Sequence, residues 1–192
     1  ANLFNNAYGN SVANFRWNHL FNNQLFSNLS LIYSDYDYKL DFSFADFEWN
    51  SSIVNINLKY DFKHYLSEKI KLEYGLNSIY YEFDPGLIEP TKEDSSIQVN
   101  KLTDKYAIES SLYTGINYQF SPKTSVQLGG RLSNFIRLGQ KLNTYMNDNP
   151  LIYNSALKLY QGAEPIGEIQ YNRGTVLKNF LYLEPRLAFS YQ

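Results

Sequence analysis

From Ile70 every second residue is apolar (Ile70, Leu72, Tyr74, Leu76), and the residues between them are Lys71, Glu73, Gly75 and Asn77. A side-chain period of two belongs to a strand with unlike faces, because successive Cβ atoms point to opposite sides of the pleat. The pattern returns in segment after segment between turn-like breaks. Long consecutive strands with one apolar face, one polar face and no other core pattern describe a wall between two media. Its apolar side meets lipid and its polar side meets water.

Composition agrees with strands. The 192 residues include 18 Tyr and 13 Phe but only 1 Met, a balance that favours β over α. A mean hydropathy of −0.42 reads as water-soluble, yet an alternating strand hides its lipid face from any averaging window. Net charge is −2, which gives no basic footprint for nucleic acid. The chain has no cysteine, so it needs no disulfide and offers no thiol chemistry. Ala1-Asn2-Leu3-Phe4 has neither a basic stretch nor an apolar run, so any export signal is expected to be removed or to lie outside the numbered chain. One domain over residues 1–192 is expected.

Seven strands are read from the alternation. The first, about Ser11 to Phe21, sets Ala13, Phe15, Trp17, His19 and Phe21 against Val12, Asn14, Arg16 and Asn18. The second, about Leu25 to Tyr38, has Leu29, Leu31 and Tyr33 on its apolar side. The third, about Trp49 to Phe62, sets Val54, Ile56, Leu58, Tyr60 and Phe62 against Asn55, Asn57, Lys59 and Asp61. The fourth runs from Ile70 to about Phe83. The fifth, about Lys105 to Phe120, carries Ile108, Leu112 and Ile116 opposite Glu109, Ser111 and Asn117. The sixth, about Ser125 to Leu138, alternates Val126, Leu128, Leu132 and Ile136 with Gln127, Arg131, Ser133 and Arg137. The seventh, about Phe180 to Gln192, places Leu181, Leu183, Leu187 and Phe189 opposite Glu184, Arg186 and Ser190.

The connections are expected to alternate strictly between short and long. Asn22-Asn23-Gln24, Leu66-Ser67-Glu68-Lys69 and Ser121-Pro122-Lys123-Thr124 read as tight turns. Lys39 to Phe47, Asp84 to Thr103 and Gly139 to Leu177 read as longer loops. Pro85, Gly86 and Pro90 argue against a regular strand in the second of these, and Pro150, Gly162, Pro165, Gly167 and Gly174 in the third. Outer-membrane barrels sort short periplasmic turns from long extracellular loops in this way, which puts Ala1 outside and Gln192 at the periplasmic rim. The fold class expected is all-β, an antiparallel up-and-down transmembrane β-barrel segment of about seven strands. A soluble β-sandwich also alternates, but its strands are shorter and its connections are not sorted by end.

Three segments carry a resemblance. Gly9 to Asn22 (GNSVANFRWNHLFN), Lys71 to Gly86 (KLEYGLNSIYYEFDPG) and Leu183 to Gln192 (LEPRLAFSYQ) resemble barrel strands of Bacteroidetes TonB-dependent outer-membrane receptors. The resemblance implies a 22-stranded barrel closed by an N-terminal plug, a TonB box, and energy-coupled import of a scarce nutrient such as a siderophore, glycan, peptide or cobalamin. It further implies an outer-membrane location, with lipid, the plug and the TonB system as partners, together with a surface lipoprotein. Seven strands are about a third of that wall, so the chain is expected to be a fragment. A passive pore, a structural barrel or adhesin, and an outer-membrane hydrolase are the alternatives.

No residue is assigned a catalytic role, and no cofactor or metal site is expected. His19 and His64 fall on lipid-facing positions near the short turns and read as interfacial residues beside Trp17 and Phe21. Gly129-Gly130 lacks a following Lys-Thr and reads as a kink or close approach within a strand. Arg131, Arg137 and Arg186 point to the lumen, as contacts for plug carboxylates or as cavity lining. The loops are expected to carry recognition. The candidate ligand-facing residues are Tyr36, Tyr38, Glu89, Asp94, Tyr153 and Tyr160.

Overall fold

The computed structural model describes residues 4–191; Ala1 and Gln192, on which the two ends of the expected topology fall, lie outside them. Seven long strands form one antiparallel sheet in sequence order. They are β1 (Asn5–Leu20), β2 (Leu25–Phe42), β3 (Phe47–Tyr65), β4 (Ile70–Pro90), β6 (Lys105–Ser121), β7 (Thr124–Leu138) and β12 (Val176–Tyr191). A two-residue strand, β5 (Asn100–Lys101), pairs with the end of β4. The sheet is not closed into a barrel, because β1 and β12 remain its edges.

Residues paired across an antiparallel ladder share a face, so the register sorts the sheet into rows. Trp17, Leu29, Tyr60, Leu76, Leu112, Leu132 and Leu183 are successive partners across all seven strands. One residue away, Arg16, Ser30, Lys59, Asn77, Ser111, Ser133 and Tyr182 form a row on the other face. Period two thus holds in step across the whole sheet. One row of the apolar face is mixed: Phe15, Leu31 and Leu58 continue into Ser78, Ser110 and Asn134. The two hydroxyls bond each other at 2.8 Å, and nothing in the structure explains Asn134.

The apolar band is eleven residues tall on several strands, from Ile70 to Tyr80, Ile108 to Tyr118, Val126 to Ile136 and Leu181 to Tyr191. Beyond it the same face turns polar at Asp35 and Glu82. Among the described residues the buried apolar side chains are Tyr106, Ala107 and Leu138. That is far too little to hold a water-soluble domain of this size together. Leu112 is 60% exposed, Leu183 75% and Leu187 74%, so no layer among the described residues covers the band.

Three expectations are corrected. The connection Lys39 to Phe47 is mostly strand, since β2 and β3 pair out to Phe42 and Phe47 and leave a four-residue turn, Ser43 to Asp46. Short and long connections therefore do not alternate strictly. Second, β4 runs on through Pro85 and Gly86 to Pro90. The ladder slips between Asn50 and Ser52, so Pro85 and Gly86 together face one residue of β3. At such a bulge Pro costs no ladder bond. Gly86 supplies φ +150° and makes room for the Trp49 indole, which donates to the Pro85 carbonyl at 3.2 Å. Third, the stretch Gly139 to Leu177 is a nested ribbon. Here β8 (Lys141–Thr144) pairs with β11 (Gly167–Gln170), and β9 (Leu151–Asn154) pairs with β10 (Leu159–Gly162). At its neck a Cβ on Gly139 would lie 1.9 Å from the Asn172 carbonyl oxygen.

Candidate functional site

The polar face divides into two zones. Toward the tight turns it is charged. Gly115 and Gly129 are direct partners, and their missing side chains open a hollow of about 490 Å³, lined among others by Lys59, Asp61, Glu73, Tyr113, Arg131 and Arg186. The Lys59 ammonium lies 3.1 Å from Asp61, and that of Lys71 2.8 Å from Glu73. Tyr113 donates its hydroxyl to Asp61 two strands away. It reaches over Gly75, which pairs with both residues and whose Cβ would meet the Tyr113 hydroxyl at 2.6 Å. Glu184 accepts from Ser133 and sits 3.6 Å from Arg186. The Arg131 Nε is buried with no hydrogen-bond partner among the described residues. Interleaved charges of both signs can hold a polar partner by many weak pairs.

Away from the turns the same face becomes aromatic. Tyr8 pairs with Tyr38, and Tyr36 shares a row with Ile53 and Phe83. Tyr81 stacks on Phe83 at 5.5 Å.

The expected candidates fall in separate places. Arg131 and Arg186 reach the hollow together, and Arg137 lies on the same face but higher, exposed beside Lys178. Tyr36 and Tyr38 lie half-buried on the polar face rather than in a loop. Glu89 belongs to β4 and pairs with Glu48, whereas Asp94 is exposed in the turn that follows. Tyr153 and Tyr160 are direct partners at the far hairpin of the ribbon, their rings 5.2 Å apart. A Cβ on Gly129 would lie 3.0 Å from the Thr114 carbonyl oxygen, the close approach expected there, while one on Gly130 would meet nothing within 4 Å. His19 packs between Trp17 at 5.3 Å and Phe21 at 4.4 Å. It pairs across the ladder with Ser27, whose buried hydroxyl has no partner among the described residues, so the two are not hydrogen-bonded as a nucleophile and its base would be.

Sequence reasoning missed the neck where the ribbon leaves the sheet. The bases of the β4–β6 and β7–β12 connections meet there around a pocket of about 530 Å³. The Arg173 guanidinium lies 4.3 Å above the Tyr106 ring and 3.5 Å from Glu82. Lys101 bridges Asp84 and Asp104, the latter at 3.3 Å, and Lys141 contacts Glu168 at 2.6 Å. Hydrogen bonding to Asp84 holds the Lys101 ammonium above its usual range. Gln140 is only 4% exposed, and its Oε1 has no hydrogen-bond partner among the described residues. Comparison of the chain with protein-family models, with curated proteins and with solved structures gives no match.

Proposed function

We propose that this chain is barrel wall from an outer-membrane receptor of the TonB-dependent kind, which imports a scarce nutrient. The observation that carries the reading is the uncovered apolar band. Eleven strand residues tilted by about 40° climb about 25–28 Å, which matches the apolar belt of outer-membrane barrels. Aromatic residues stand at both borders of the band, Tyr33 and Tyr80 at one, with Tyr106 just beyond it, and Tyr118 and Tyr191 at the other. This is where girdles form. The open edges β1 and β12 call for further strands on either side, and the likeness of three segments to Bacteroidetes receptors supports the family.

In this reading the polar face lines the lumen. The hollow with Arg131 and Arg186 receives polar groups of a plug, and the aromatic zone borders the outer mouth. The ribbon and the β4–β6 connection project outside, where nutrient and a surface lipoprotein are met. No step of covalent chemistry is assigned. The test is uptake of labelled nutrient by cells that make the parent polypeptide, with and without a protonophore. Energy-coupled import stops when the proton-motive force is collapsed; uptake that continues unchanged identifies a passive pore and refutes the proposal.

A further inference from the structure

We infer that the neck pocket is a binding site for a neutral polyhydroxylated ring, a sugar or a sugar headgroup. The Gln140 amide is the first reason. It is 96% buried, belongs to a residue that lines the pocket, and carries an acceptor that no other described residue satisfies. A buried acceptor left unpaired costs roughly 1–3 kcal/mol, and a ligand hydroxyl that donates to it removes that cost.

Charge selects the ligand class. Three cations stand around the pocket, and each already touches a carboxylate: Lys101 with Asp84 and Asp104, Lys141 with Glu168, Arg173 with Glu82. Of these carboxylates only Asp104 lines the pocket, but every lining cation is paired, so no unpaired positive charge is left for a phosphate, and the cations in the wall leave an ammonium ion little to gain. What remains is a wall of donors and acceptors interleaved, with Thr103 and Gln170 adding one hydroxyl and one amide. Hydroxyls both donate and accept, and a ring carrying several of them satisfies such a wall. The volume is in the range of small-molecule sites.

Position adds the source. Tyr106 pairs with Glu82, on the same face as Tyr80 and Leu76, so the pocket opens on the apolar side of the sheet directly above the band. On the wall reading given above, that is headgroup height in the outer leaflet. A sugar tethered to an acyl chain would reach the pocket with its chain along Tyr80 and Ile108.

The test uses the membrane-inserted protein purified in octaethylene glycol monododecyl ether, a detergent without sugar. The side-chain amide NMR signal of Gln140 is assigned by its loss in Gln140→Leu, then followed while maltose, dodecyl maltoside or inorganic phosphate is added. The expected result is a saturable shift with dodecyl maltoside, at least tenfold weaker with maltose alone. An equal response to both keeps the sugar site and assigns it to a free saccharide. Gln140→Leu, read on the Gln170 side-chain amide instead, should weaken binding at least tenfold with no loss of thermal stability, since it breaks no hydrogen bond. Gln170→Ala, at an exposed position, should weaken it several-fold if the first variant does not assemble. A shift with phosphate, or with neither sugar compound, overturns the proposal. If the chain is instead soluble without detergent, the wall reading fails while the maltose titration in buffer still tests the pocket.

Discussion

Leu112 and Ser111 are neighbours in the chain and stand on opposite faces of the same sheet. On the Ser111 side the structure supplies its own partners. Tyr113 bonds Asp61, Ser133 bonds Glu184, and Lys59 and Lys71 pair with carboxylates. On the Leu112 side an apolar row runs from Trp17 to Leu183 with nothing laid over it. The polar face is furnished from within, and the apolar face depends on its surroundings. That contrast is why a chain with almost no buried apolar core can still hold a regular sheet.

The largest effect should come from a charge placed on one face and then the other. Leu112→Arg should cost about 2–4 kcal/mol at the bilayer midplane and stop assembly, whereas Ser111→Arg should assemble normally. Heat-modifiable migration of the outer-membrane fraction reads both; equal tolerance would erase the distinction between the faces. Next, Gly86→Ala forces a Cβ to within 1.7 Å of the Trp49 indole nitrogen at φ +150°. It should cost about 1–3 kcal/mol and free the outer end of β4, seen as faster amide exchange from Leu87 to Pro90 with Ile70 to Tyr80 unchanged. Tyr113→Phe removes one bond from the polar face and should cost about 1 kcal/mol, measured as an earlier urea midpoint.

The smallest effect is a pH dependence at the β2–β3 tip, well outside the band. A hydrogen bond from Lys39 is the main cause holding the Glu48 carboxyl below its ordinary value of 4.5. Its contribution is therefore complete above that value and is lost as pH falls through the lowered one. Protection factors of the amides near Phe42 and Phe47, taken relative to the intrinsic exchange rate at each pH, should fall below about pH 4.5 by about 0.2–1 kcal/mol for such an exposed pair.

Much of this was legible because period two survives tertiary context when one face is uniform. The seven strands, the three tight turns and the polar-side placement of Arg131, Arg137 and Arg186 all follow from it. What misled was punctuation. Pro85 and Gly86 read as breakers, yet a bulge needs a residue without a ladder donor and one free to take positive φ. The four-residue strands Leu151–Asn154 and Leu159–Gly162 are too short for alternation to stand out among Pro and Gly. Glu89 reads as a loop residue because Pro85, Gly86 and Pro90 flank it, although it belongs to β4. The neck was invisible because Gln140 and Arg173 are 33 residues apart, and only the ribbon's pairing returns one to the other.

The most direct measurement asks what medium the apolar face touches. The chain has no cysteine, so single nitroxide labels can be placed at Leu112→Cys, Leu132→Cys, Ser111→Cys and Ser133→Cys in the membrane-reconstituted protein. Oxygen should reach the labels at 112 and 132 far better than a water-soluble nickel chelate does, and the preference should reverse at 111 and 133. Labels at 112 and 132 shielded from both reagents would mean that another layer of protein covers this face, and the membrane wall would have to be abandoned.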